Sequence, residues 1–103
     1  MGVEKTMRII RLSAKGKLEV KNVKNELSVL QNEVGGYIEQ ITFAEDAVLL
    51  VDEDARMKNR SKNPFLHTLR GDVVVCGIKN NKWCSLPLFK ARKLAAALGN
   101  KME

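Results

Sequence analysis

A chain of 103 residues with a 45% hydrophobic share is long enough for one core and too short for two, so a single domain is expected over residues 1–103. No apolar run is longer than that from Ala47 to Val51, which falls far below the roughly 20 residues that a membrane-spanning helix requires. The formal charge of +6 is not one stripe: residues 1–25 hold seven Lys/Arg against two Glu, 26–55 hold eight acids and no base, and 56–103 hold eleven Lys/Arg against two acids. That basic, acidic, basic order departs from the continuous cationic footprint of a typical duplex-DNA binder. Once folded, the acidic middle can neutralise one basic end and leave the other to attract an anionic partner.

Met7 to Leu12 carries Ile9 and Ile10 between Arg8 and Arg11 and reads as a strand. Ser13 to Gly16 supplies a turn, and Leu18 to Val23 alternates as the second strand of a hairpin. A helix is expected over residues 26–34, with Asn25 as N-cap and Glu26 in its first turn. Leu27, Leu30 and Val34 define its apolar face. Gly35 follows at once and is suited to a left-handed C-terminal cap.

Tyr37 to Phe43 is the next strand, Glu45-Asp46 the turn, and Ala47 to Val51 a continuous apolar strand of the buried, central kind. Asp52-Glu53-Asp54 brings the chain back to the surface. Residues 55–71 are the least regular stretch, with Asn63-Pro64 as a turn signal and Phe65, Leu66 and Leu69 tucked under the sheet. A connection of that length in a small domain is more often functional than idle. Residues 72–78 form the clearest strand, and Gly77 within it marks a bulge or a close backbone approach. Asn80-Asn81 turns the chain into a short strand from Trp83. Pro87 opens a last helix whose face is Leu88, Ala91, Ala95 and Leu98, Gly99 closes it, and Lys101 to Glu103 frays. The fold class is therefore α+β: a mostly antiparallel sheet of five to six strands with two helices packed on it.

Leu30, Gln31, Val34, Gly35, Gly36, Tyr37, Ile38 and Glu39 form an LQ…VGGYIE block. With the leading hairpin, the apolar strand Leu49 to Asp54, the Asn63 segment and the strand from Gly71 to Val75 with Gly77, the block resembles a small family of domains of unknown function carried by bacteriophages and other mobile elements. The similarity spans most of residues 7–86. It implies a phage or plasmid setting and no established reaction; by analogy of setting it implies an accessory or counter-defence role. The loop of this chain is richer in Lys and Arg than the family's.

Catalytic motifs are sparse. His67 has no fixed partner in sequence and reads as a structural imidazole, since acid–base work needs a positioned second group. Asp52 and Asp54 could hold a divalent ion for a hydrolase, but a solvated charged turn explains them better. Cys76 and Cys84 read as reduced structural thiols. No metal and no cofactor is expected, and an enzyme is the weaker class.

Binding has stronger candidates. Arg56, Lys58, Arg60 and Lys62 are spaced two apart, so in an extended loop they project to one side, with Asn59 and Asn63 adding amide groups. Such a surface suits phosphate oxygens. Tyr37 and Glu39 follow two glycines that let a ligand approach the backbone, and tyrosine can stack on a base. The expected protein is non-catalytic and phage-type and resides in the host cytoplasm, since MGVEKTMRII lacks a signal-peptide pattern. It binds an anionic partner through Tyr37, Glu39, Arg56, Lys58, Asn59, Arg60, Lys62 and Asn63, in counter-defence, by sequestering a nucleotide signal or inhibiting a host nuclease complex. Direct nucleic-acid binding is the alternative, and a metal-dependent hydrolase the third class. No membrane association is expected; an exposed edge strand permits a homodimer without requiring one.

Overall fold

The computed structural model describes residues 5–99; the expected fraying of 101–103 lies outside them. Eight elements follow in chain order: β1 (Thr6–Leu12), β2 (Leu18–Lys24), α1 (Leu27–Val34), β3 (Ile38–Ala44), β4 (Ala47–Asp52), β5 (Val73–Lys79), β6 (Lys82–Cys84) and α2 (Leu88–Gly99). The strands make one six-stranded sheet in the order β2-β1-β5-β4-β3, with β6 on β5 and every pairing antiparallel. The fold is α+β, as the residue pattern indicates.

β5 is the hub, and Gly77 divides it. Val73 to Val75 pair with β1, and residues 77–79 pair with β6 on that same edge, while β4 takes the other edge. A Cβ on Gly77 would stand 2.6 Å from the Ser85 carbonyl oxygen, so only glycine lets the returning chain lie that close. Ser85 and Leu86 then tie the junction to β1: Ser85 Oγ accepts from Arg8 N–H, and Leu86 N–H donates to the Arg8 carbonyl. Asn80 and Asn81 both adopt positive φ, 53° and 62°, as a two-residue hairpin turn demands.

The sheet is covered on both faces, and period-two alternation along each strand sorts the side chains. Met7, Ile9, Val48, Leu50, Val74 and Cys76 meet Leu30 and Val34 of α1. Ile10, Leu12, Leu49, Val51, Val73 and Val75 meet Ala91 and Leu98 of α2 and Phe65 from the long loop. Burial of a Leu, Val or Ile side chain stabilises by about 1.5–3 kcal/mol relative to exposure, so these two layers carry the fold. Lys90 of α2 also pairs with Asp46 in the β3–β4 turn.

Three local expectations are corrected. The N-cap of α1 is Glu26, not Asn25, and no side chain bonds there; Asn25 N–H instead donates to the Lys5 carbonyl, continuing the β1–β2 ladder. Leu27 is 58% exposed, and Val29 packs against the core instead. Leu88 is likewise half-exposed at the start of α2.

Candidate functional site

The 53–71 connection wraps around the end of the sheet where β4 finishes and α1 stops. It is a run of turns, not an extended strand. Consequently the four cations spaced two apart do not share one side, which corrects the extended-loop expectation. They separate into two pairs with different neighbours.

Lys58 and Arg60 turn inward to Asp52. Alternation along β4 places Asp52 on the α1 side with Val48 and Leu50, and its side chain is 0% exposed. Lys58 Nζ donates to Asp52 Oδ2 at 2.9 Å and Arg60 Nε donates to the same oxygen at 3.0 Å. Asp52 Oδ1 accepts from the Asp54 backbone N–H at 2.9 Å. Burial pushes the Asp52 carboxyl upward, but the hydrogen bonds from Lys58, Asp54 N–H and Arg60, with the Lys58 charge, outweigh it and hold its pKa below the usual aspartate value. Both Asp52 oxygens are thus engaged within the protein.

The double glycine belongs to this cluster. Gly35 caps α1 in the left-handed conformation, φ 85°, and its N–H returns to the Gln31 carbonyl. Its own carbonyl accepts from Arg60 Nη2 at 2.9 Å and from Lys58 Nζ at 3.4 Å, so both cations also face the negative end of the helix. A Cβ on Gly36 would lie 2.6 Å from Asp52 Oδ1 and 2.8 Å from Lys58 Nζ. What approaches these glycines so closely is the chain's own ion cluster.

Arg56 and Lys62 remain outside. Lys62 bridges to Arg70, Asn63 N–H donates to the Leu69 carbonyl and Gly71 N–H to the Ser61 carbonyl, so residues 61–71 close into a narrow loop. Residues opposite one another in such a bridge project to the same side. Arg56, Asn59, Lys62, His67, Thr68 and Arg70 thereby line one open depression of about 440 Å³. No carboxylate lines it, and among the described residues none of its three Arg and Lys side chains forms an ion pair. Arg70 is steadied by Nη1 donating to the Arg60 carbonyl at 2.9 Å, and His67 Nε2–H donates to the Pro64 carbonyl at 2.9 Å.

Asn63 is corrected from ligand-binding candidate to structural pin. It is 0% exposed. Its Nδ2 donates to the Leu12 and Gly71 carbonyls, each at 2.9 Å, and its Oδ1 accepts from the N–H groups of Phe65 and Leu66 at 2.9 and 3.3 Å. Tyr37 and Glu39, both exposed, fall on different surfaces. Tyr37 lines a depression of about 540 Å³ with Gln31, Asn32 and Lys58. Glu39 lines a smaller one of about 250 Å³ that also receives Arg56 and Arg70. Thr68 and Arg70 carry no sequence motif, and His67 reads from sequence only as a structural imidazole; the three reach this surface because the long loop returns on itself toward β5.

No curated protein and no solved structure matches the chain. A family model does match residues 7–99, and its description is a domain of unknown function, DUF3846. With nearly all of the described residues inside that match, from the leading hairpin through the glycine-capped helix and the long loop to α2, the chain belongs to the DUF3846 family of domains of unknown function.

Proposed function

We propose that this protein is a non-catalytic binding module for an anionic, phosphate-bearing partner, held by Arg56, Lys62 and Arg70. One observation carries the reading: three cations converge on a depression that no carboxylate lines, with Asn59 and Thr68 beside them as neutral hydrogen-bonding groups. Clustered unpaired cations repel one another, and an anion of several oxygens relieves that repulsion while engaging the guanidinium forks. Lys58 and Arg60 serve the same surface indirectly, by fixing the loop to Asp52.

The resemblance to phage-borne domains supports a finer version, in which the module acts in a host cell as a counter-defence factor that sequesters a nucleotide signal or inhibits a host nuclease complex. Calorimetric titration with cyclic oligonucleotides and ADP-ribose derivatives tests the sequestration form. Binding heat that disappears in Arg56→Ala/Lys62→Ala supports it. Absence of heat at millimolar ligand rejects it. Pull-down of a nuclease subunit from host lysate by the wild type, and not by that variant, supports the inhibitor form.

A further inference from the structure

The cationic depression does not end at its own rim. Arg56, Thr68 and Arg70 also line the smaller depression, together with apolar Ile41, Val51, Ala55 and Leu69 and the acidic Glu39 and Glu53. Three shared residues set the two hollows side by side as one groove, in which the larger hollow has cations and no carboxylate and the smaller adds the apolar surface and the carboxylates. At about 440 and about 250 Å³, the pair lies in the range of small-ligand sites, roughly 300–1,000 Å³.

We infer that the ligand of this groove is a free nucleoside phosphate, with the phosphate on Arg56, Lys62 and Arg70 and the base over the apolar surface. This deepens the proposed function and rests on it. The two hollows of the groove ask for different chemistries. A bare phosphate uses only the first. A continuing nucleic-acid strand would bring its next phosphate toward Glu39 and Glu53, where like charges repel. A mononucleotide meets both: its phosphate answers the cations, its base face covers apolar surface, and its ring N–H or exocyclic amino groups donate to Glu39 or Glu53. Glu39 is therefore a specificity residue and Arg56 an affinity residue.

The test titrates the full chain with pyrophosphate, ribose 5-phosphate and each of AMP, GMP, CMP and UMP, and follows amide shifts by NMR. The expected result is that at least one mononucleotide binds tenfold or more tightly than ribose 5-phosphate. Its shifts reach Ile41 and Leu69, whereas those of ribose 5-phosphate stay near Arg56, Lys62 and Arg70. Glu39→Gln, an exposed change, should cut the preference for the mononucleotide over ribose 5-phosphate, whose own affinity should not fall. Equal affinities, with shifts confined to the three cations, overturn the inference while anion binding stands. No binding by any phosphate probe overturns the anion reading itself, and this inference with it.

Discussion

Within seven residues of one loop, two pairs of cations have opposite occupations. Lys58 and Arg60 converge on the buried carboxylate of Asp52, between a helix C-terminus and two glycines that leave them room. Arg56 and Lys62, from the same alternating run, stand with Arg70 around an open hollow. The residue types are alike; the difference is where the nearest acid lies. Alternation along β4 places Asp52 on the α1 side, so only side chains that cross the end of the sheet reach it. A count of charges in sequence therefore overstates a binding surface, because part of the charge is internal counter-ion.

The comparison can be broken by removing each pair in turn. Lys58→Met/Arg60→Met leaves Asp52 buried without a cation; breaking a fully buried pair costs about 3–5 kcal/mol, and because the two cations are themselves 41% and 37% exposed, urea unfolding should register a loss at or below the lower end of that range. Each single change should cost much less, since the second cation remains. Asn63→Ala strands two carbonyls and two N–H groups in the interior, and unsatisfied buried groups cost about 1–3 kcal/mol apiece before relaxation; a loss of about 3 kcal/mol in the same assay is expected.

Smaller effects sharpen the contrast. Gly36→Ala drives a methyl against Asp52 and Lys58 and should cost about 1–2 kcal/mol, comparable to overpacking elsewhere. Acid should loosen the Asp52 cluster. Because the folded Asp52 pKa lies below its ordinary 3.8, its stabilisation is fully present above that value and is lost as pH falls through the depressed folded value. Asp52→Asn should flatten that acid limb in a pH series of thermal melts. Arg56→Ala/Lys62→Ala should leave unfolding within about 0.5 kcal/mol of wild type, as expected for exposed changes, while abolishing phosphate binding by calorimetry. Should that double variant instead destabilise as much as Lys58→Met/Arg60→Met, the division into internal and open cations is wrong.

Much of the fold is legible locally. Residues 7–12 and 18–23 alternate around a turn whose Gly16 has φ 97°, and they form the expected hairpin. Gly35 caps α1, Ala47 to Val51 is a central buried strand, and Gly77 marks a close approach. These features depend on neighbours a few residues away, or on a strand covered on both faces, and both leave periodic or compositional traces. Asn25 failed as a cap because the β1–β2 ladder claimed its N–H first, a competition between distant segments.

The chain by itself determined which segments are strands, which are helices, where each turns, and that the 55–71 region is basic and irregular. Only the tertiary structure decided how that basic region is divided. Asp52 is drawn in by the alternation of β4, Lys58 and Arg60 must follow because a buried carboxylate cannot stand without a partner, and Arg70 arrives from the far end of the loop to join the cations left over. Charge acts through distance in space, and that distance is set by packing that no short window of residues contains.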